Sequence, residues 1–226
     1  MKMWLRERLC ALAVLAASTG AMAQTAKDVA LMIKTSGAVE VNKSTNGDWQ
    51  MASKGTRLDA GNQVRTGEQS LAALVFVDDK SLLKVRDNST VTINGKREKN
   101  RISKTIVMEA GQLWAKVTKG QTNFRIETPS GVAAVKGTEF YGLLDDAGNF
   151  FIFCTDGIVE LFNRLGRVLV EQGYTGVCNQ NQAPESNPTD LSQLPDWGSE
   201  GGQGGEIEIE FQDENGNKKK LKIQYE

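Results

Sequence analysis

Short apolar runs recur along most of the chain, and glycine, asparagine or aspartate residues separate them. Many of these runs alternate with a period of two, most clearly in residues 113–117 and 158–161. Successive side chains of a β-strand point to opposite faces, so this pattern predicts strands with one buried face. The 23 glycines fit many tight turns. The chain is therefore predicted to be all-β, as a sandwich, a barrel or a solenoid.

A second alternating stretch covers residues 206–226 and contains Asn215-Gly216, a strong hairpin signal. A three-residue loop would set Glu210 opposite Lys220 and collect the apolar residues on one face. A two-residue loop would shift the register by one and mix the two faces. The sequence therefore predicts a C-terminal β-hairpin with an apolar side that needs cover, either from its own domain or from another protein.

The composition changes between these two alternating regions. Residues 179–205 are polar, contain three prolines and end in a glycine-rich run, which is typical of a linker. The predicted organisation has four parts: a signal peptide at 1–23, an all-β domain at 24–178, a linker at 179–205 and a hairpin at 206–226.

The first 23 residues have the three parts of a secretory signal. A basic start is followed by a short apolar run, and an Ala-Met-Ala sequence ends at Ala23. The apolar run is much shorter than the roughly 20 residues that span a bilayer. Cleavage after Ala23 would leave Gln24 first and place the protein in the periplasm or outside the cell, without a membrane span.

Charge and composition exclude several functions. The chain has a net charge of −1 and lacks a basic stripe, which argues against a nucleic-acid partner. It contains no histidine, so histidine-based nucleophile systems and histidine metal ligands are excluded. The pairs Asp78-Asp79 and Asp145-Asp146 follow apolar runs and are interpreted as hairpin turns. No catalytic residue, cofactor or metal site is predicted, and the alternative is a carboxylate pair that acts on envelope glycan.

Two cysteines remain after the predicted cleavage, Cys154 and Cys178. An even number of cysteines in an oxidising compartment predicts a disulfide between them. The alternative is a pair of buried free thiols, because free cysteine is often a core residue.

Four blocks of the sequence occur in an order that resembles the FecR-type periplasmic domain. The most specific is T-P-S-G-V-A-A-V-K-G-T-E-F, at residues 128–140. The others are W…G…L…G followed by V-R-T-G at residues 49–67, E-A-G-Q-L-W at 109–114 and D-G-I-V-E-L at 156–161. The motif positions that carry the resemblance are Trp49, Gly55, Gly61, Arg65, Thr66, Gly111, Thr128, Pro129, Lys136, Gly137, Thr138, Phe140 and Gly157.

The resemblance implies a compact, solenoid-like or rolled β-fold in which these positions are structural. Arg65 and Lys136 could contact a ligand, but pairing with carbonyls or carboxylates at turns is favoured. For function, the resemblance implies a non-enzymatic binding or scaffold protein whose partner is an envelope protein or a cell-wall component. The alternative is an accessory of a transmembrane signalling system, which regulates a sigma factor or a sensor through a separate membrane partner.

Overall fold

The computed structural model describes residues 28–43, 47–98, 101–120 and 123–189, and the backbone of strands 205–212 and 218–225. The predicted signal peptide and the Ala23–Gln24 cleavage site lie outside these residues. The described part contains no apolar helix of membrane-spanning length. The strands are β1 (Ala30–Ser36), β2 (Val39–Asn42), β3 (Gln50–Met51), β4 (Arg57–Leu58), β5 (Asn62–Thr66), β6 (Leu71–Phe76), β7 (Leu82–Val85), β8 (Thr90–Glu98), β9 (Arg101–Lys116), β10 (Phe124–Glu127), β11 (Val132–Val135), β12 (Glu139–Leu144), β13 (Phe150–Asp156), β14 (Ile158–Asn163), β15 (Gly166–Glu171), β16 (Tyr174–Asn179), β17 (Gln182–Pro188), β18 (Gly205–Gln212) and β19 (Lys218–Tyr225).

Strands β1 to β17 form one hydrogen-bonded network of 17 strands, and it divides into two sheets that share β9. Sheet A has the order β4-β1-β6-β7-β9-β12-β13-β16-β17. Sheet B has the order β3-β2-β5-β8-β9-β10-β11-β14-β15. Among the described strands, β9 and β10 pair in parallel and the other neighbours are antiparallel. The chain moves back and forth between the sheets as it advances, so the predicted all-β, rolled fold is confirmed.

The core lies between the two sheets. One continuous cluster of buried apolar side chains draws on the inward positions of both sheets. Phe76 of sheet A meets Phe124 of sheet B edge to face, with ring centroids 5.6 Å apart. The alternation found in the sequence sets these positions: Val159 and Leu161 of β14 are buried, and Glu160 between them faces outward.

Strand β9 turns from sheet B into sheet A at Gly111. Residues before this point pair with β8 and β10, and residues after it pair with β7 and β12. Gly111 has a φ of +92°, which disfavours any residue with a Cβ. The inward positions change from even-numbered residues such as Met108 to odd-numbered ones such as Leu113, so both halves of β9 face the same core.

The domain extends beyond the boundary predicted at residue 178. Strand β17 lies inside the predicted linker 179–205 and pairs with β16, so residues 182–188 belong to the domain. Pro184 and Pro188 explain why no strand was predicted here, because proline cannot donate to a ladder. Proline is tolerated at the edge of a sheet, where it hinders pairing with a further strand. β17 occupies such an edge.

The C-terminal hairpin has the register predicted for the longer loop. Strands β18 and β19 pair Glu210 with Lys220 and Ile209 with Leu221. The turn at Asn215-Gly216 lies outside the described residues. The predicted hairpin is therefore confirmed in its pairing, and the alternation places the apolar residues at positions of one face.

The predicted disulfide is wrong in this structure, since Cys154 and Cys178 are both buried free thiols. They lie on the neighbouring strands β13 and β16, but Cys178 is opposite Phe150, four residues from Cys154. Four residues of strand span about 13 Å, far beyond the Cα separation of roughly 7 Å that a disulfide tolerates. The Cys178 Sγ lies 3.1 Å from the carbonyl oxygen of Ser130, and the Cys154 Sγ lies 3.4 Å from that of Gly157.

We expect both thiols to be unreactive in the folded domain at neutral pH and to be counted as two free thiols after unfolding. Burial raises the pKa of Cys178 and raises that of Cys154 to about 11. The thiolate is the reactive form, so both groups stay protonated and inert. The raised folded-state pKa also means that the stability contributed by neutral Cys154 is present below the ordinary thiol pKa and is lost as the pH rises toward about 11.

A thiol reagent is added, without reductant, to the chain that begins at Gln24. It measures the number of reactive thiols in the folded state and, with denaturant, in the unfolded state. Recovery of no thiols after unfolding would show that the two cysteines pair and that the register is not as described.

Candidate functional site

The glycines of the family motifs occupy corners where the chain passes from one sheet to the other. Gly137 lies between β11 and β12 with a φ of +75°, and Gly157 lies between β13 and β14 with a φ of +85°. A Cβ on Gly137 would lie 2.6 Å from Cα of Lys119, a distance that the backbone cannot accommodate without moving. Gly111 is equally crowded, since its Cβ would lie 2.6 Å from Cα of Ser89. These glycines therefore serve the fold.

The motif threonines close the same corners with hydrogen bonds. The Thr66 hydroxyl donates to the carbonyl of Arg86 and accepts from the Ser89 amide at 3.1 Å. The Thr138 hydroxyl donates to the carbonyl oxygen of Ile158 at 3.1 Å. Each bond ties a corner to the next strand pair, which satisfies backbone groups that the sheets leave without partners.

The segment from Thr128 to Gly131 is a turn that joins β10 to β11. The Thr128 hydroxyl accepts from the amides of Ser130 and Gly131, both at 3.2 Å, and donates to the Gly131 carbonyl at 3.0 Å. Pro129 lies within this turn, where its missing amide hydrogen costs nothing. Phe140, further along the same motif, is fully buried in the core.

The two basic motif residues occupy different places. Arg65 on β5 approaches Glu40 on β2 with 2.5 Å between Nε and Oε2, and its guanidinium lies 4.2 Å from the ring centroid of Trp49. Lys136 is exposed at the corner before Gly137. Gly55 and Gly61 lie in turns with φ values of +91° and +89°. The motif residues are spread over both sheets, so the structure does not bring them together as one site.

A different surface gathers residues that could bind a partner. We call it the aromatic face: Trp114 on β9, Tyr141 and Leu143 on β12, and Phe151 and Phe153 on β13. These positions alternate with core residues and point away from the core on sheet A. Strand register sets Tyr141 opposite both Trp114 and Phe153. The rings of Phe151 and Phe153 are stacked, with centroids 6.4 Å apart.

The aromatic face continues onto a smaller apolar cluster on the same side of sheet A. The cluster consists of Leu31 and Ile33 on β1, Ala73 and Val75 on β6, and Leu82 on β7. Strand register sets Leu31 opposite Val75, and Val75 opposite Leu82. The outer side of sheet A therefore carries apolar residues from β1 to β13, and Lys84 and Lys116 lie between the apolar cluster and the aromatic face. An antiparallel sheet with one solvated side would have a polar outer face.

Cationic side chains lie within this surface, since Lys84 on β7 is opposite both Ala73 and Trp114. The Lys84 ammonium lies 4.7 Å from the ring centroid of Trp114. Burial lowers the pKa of Lys84, the neighbouring charges of Lys34 and Arg86 lower it further, and the negative charge of Glu139 acts in the opposite direction. Burial also raises the pKa of Tyr141, with a second contribution from Glu139. The surface thus combines aromatic rings with concentrated positive charge, a combination suited to an apolar partner that carries a carboxylate.

The aromatic face was not predicted from the sequence. Its signal was present in Phe150–Asp156, where apolar residues occupy both parities at the start of the strand. Such a run predicts a strand that is covered on both sides.

Comparison with known proteins connects these features to a family. Residues 62–160 match the family described as FecR protein. This stretch of the chain is FecR-like. The predicted resemblance to the family is thereby confirmed. The matched stretch contains the motif positions from Arg65 to Gly157, while Trp49, Gly55 and Gly61 precede it. No curated protein matches the chain.

Two solved structures of a proposed anti-sigma factor from Parabacteroides distasonis ATCC 8503 are similar to the FecR-like chain. They were determined at 2.50 and 1.65 Å resolution and give TM-scores of 0.50 and 0.49, each at 13% sequence identity. Each match covers 60% of this chain and 63% of the solved one, so the chain spans less than two thirds of its neighbours' length. At this identity the first of them supports the fold.

Proposed function

We propose that the FecR-like chain is a non-enzymatic binding module of the cell envelope that contributes to signalling by contact with a protein partner. The aromatic face carries this proposal. Its residues point away from the core, and aromatic residues dominate the energy of protein interfaces. The FecR match and the neighbour described as an anti-sigma factor support a role in regulation, and a separate membrane protein is the proposed partner.

The carboxylates that the sequence offered for catalysis are engaged in structural contacts. Asp78 and Asp79 both approach the ammonium of Lys104, at 2.9 and 2.7 Å. Asp145 accepts hydrogen bonds from the amide and side chain of Asn149, and these bonds lower its pKa. Within the described residues, no group of three or more acidic or cysteine side chains is placed to hold a metal ion. These contacts favour a binding role over hydrolysis.

The periplasm is the proposed location. The basic start, the apolar run and the Ala-Met-Ala sequence of residues 1–23 support it. In that compartment, the partner would be a membrane protein with a domain outside the cytoplasm.

The test compares two leucine substitutions on opposite sides of the domain. Leu143→Glu places a charge on the aromatic face, where it must be desolvated on binding. Leu169→Glu makes the same change on the outer side of sheet B, where Leu169 is 57% exposed. We expect the wild type and Leu169→Glu to cross-link to one membrane signalling protein in envelope extract, and Leu143→Glu to lose that product.

Mass spectrometry of the cross-linked product identifies the partner, and thermal melts show that both variants are folded. Capture of the same partner by Leu143→Glu at the wild-type level would contradict a role for the aromatic face. Release of soluble sugar from purified envelope by the wild-type chain would contradict the non-enzymatic proposal.

A further inference from the structure

One apolar residue on the outer side of sheet A has no solvent exposure. Val75 is 0% exposed although it points away from the core, and Leu31 and Ile33 beside it are 5% and 4% exposed. The described apolar residues packed around Val75 belong to the same sheet and lie beside it. Side-by-side neighbours in a sheet do not close its face, so burial to this degree requires a layer above it.

The C-terminal hairpin has one apolar side and one charged side, as a layer that covers an apolar surface requires. Its register pairs Ile207 with Ile223 and Ile209 with Leu221, and these positions share one side of the hairpin. The alternate positions pair Glu208 with Lys222, a combination suited to solvent. A two-stranded hairpin is only marginally stable alone in water, so it gains stability from packing its apolar side on a surface.

The chain leaves the domain beside the surface that needs cover. Thr189, the last described residue before the hairpin, donates its amide to the Gly173 carbonyl at 2.9 Å. Its hydroxyl lies 3.0 Å from that of Thr175. Thr175 is opposite Phe153 in the β13–β16 pair, next to the aromatic face. Residues 190–204 connect this point to the hairpin and can extend to about 50 Å, enough to reach any part of sheet A.

The dimensions of the hairpin and the surface agree. Each strand of the hairpin has 8 residues, which span about 27 Å. The outer side of sheet A from β1 to β16 crosses six strand spacings, or about 29 Å. A hairpin laid across the strands, as in orthogonal sheet packing, would cover the whole row.

We propose that the C-terminal hairpin packs across the outer side of sheet A of its own chain and covers the apolar cluster and the aromatic face. The proposal does not depend on the proposed function, because it concerns a contact within one molecule. A partner that uses the aromatic face would have to displace the hairpin.

The test uses a nitroxide spin label on the full chain that begins at Gln24. Gln224→Cys places the label on the hairpin, and the buried native cysteines do not react in the folded state. We expect the label to broaden the amide signals of β7, β12, β13 and residues 112–116 of β9 more strongly than those of the sheet B strands β5, β8 and β11. Ile209→Asp should remove the difference between the sheets, whereas Glu208→Gln on the other side of the hairpin should preserve it.

Two outcomes would overturn the proposal. Equal broadening of both sheets would show that the hairpin has no fixed place on sheet A. Broadening that occurs only when labelled and isotopically enriched molecules are mixed would show that a second copy, not the same chain, covers the surface. Neither outcome bears on partner capture by Leu143→Glu, so the hairpin proposal and the proposed function can fail independently.

Discussion

Replacing Lys104 by methionine is expected to destabilise the domain by about 3–5 kcal/mol. The Lys104 side chain is 0% exposed, and the side chains of Asp78 and Asp79 are each 3% exposed. Its ammonium contacts both carboxylates and lies 5.3 Å from the ring centroid of Phe76. Methionine preserves the length of the side chain but leaves two buried negative charges without their cation, which is the costly way to break a buried ion pair.

Lys116→Met provides a control on the same strand. Lys116 lies 3.4 Å from Glu139, but its side chain is 63% exposed, so its loss should cost about 0–1 kcal/mol. Adding Asp78→Asn and Asp79→Asn to Lys104→Met should recover part of the loss, because amides carry no charge to desolvate. Urea unfolding of the variants measures the differences. Equal destabilisation by Lys104→Met and Lys116→Met would mean that the buried pairs contribute no more than a surface pair.

Gly137→Ala is expected to destabilise the domain by roughly 2–5 kcal/mol. A left-handed φ costs a residue with a Cβ about 1–2 kcal/mol. The added Cβ would also lie 2.6 Å from the backbone of Lys119, and relieving such overpacking typically costs about 1–3 kcal/mol. Chemical denaturation followed by circular dichroism gives the change in the free energy of unfolding.

Gly173→Ala separates these two contributions. Gly173 has a similar φ of +82°, but a Cβ there would have no neighbour within 4 Å. It should therefore show the conformational cost alone, about 1–2 kcal/mol. If the two alanine variants unfold with the same free energy, the corner at Gly137 is not crowded in solution and its place in the motif reflects backbone conformation only.

Local patterns predicted most of the fold. The period-two alternation located the strands because each strand buries one side against a single core, and Val159 and Leu161 show this directly. The hairpin register followed from the alternation together with Asn215-Gly216, since only one loop length keeps apolar positions opposite each other. The motif glycines were interpreted as structural, and the positive φ of Gly137 agrees with that interpretation.

Long-range register explains what the sequence could not show. Whether Cys154 and Cys178 meet depends on how β13 aligns with β16, and no local pattern fixes that alignment. Strand β17 was missed because Pro184 is characteristic of turns as well as of sheet edges. Lys104 left a usable signal, because it occupies the inward parity between Ile102 and Ile106, where a lysine must find buried carboxylates.

The aromatic face could not be predicted from local patterns either, because it depends on long-range strand order. Trp114, Tyr141 and Phe153 are distant in sequence, and the order β9-β12-β13 in sheet A brings them into one row. The alternation in the sequence shows that each residue lies on the outward side of its own strand. Whether these residues form one surface depends on which strands become neighbours. Sequence patterns therefore define the sides of single strands, and topology assembles these sides into a surface.

The sharing of β9 between the sheets has a consequence for how the domain comes apart. The 16 residues of β9 contribute hydrogen bonds to both sheets. Unfolding of either sheet would therefore remove hydrogen-bond partners from a strand that the other sheet also uses. Neither layer can melt by itself and leave an intact remnant. The domain should therefore open as a single cooperative unit, and local fraying should be confined to the short outermost strands.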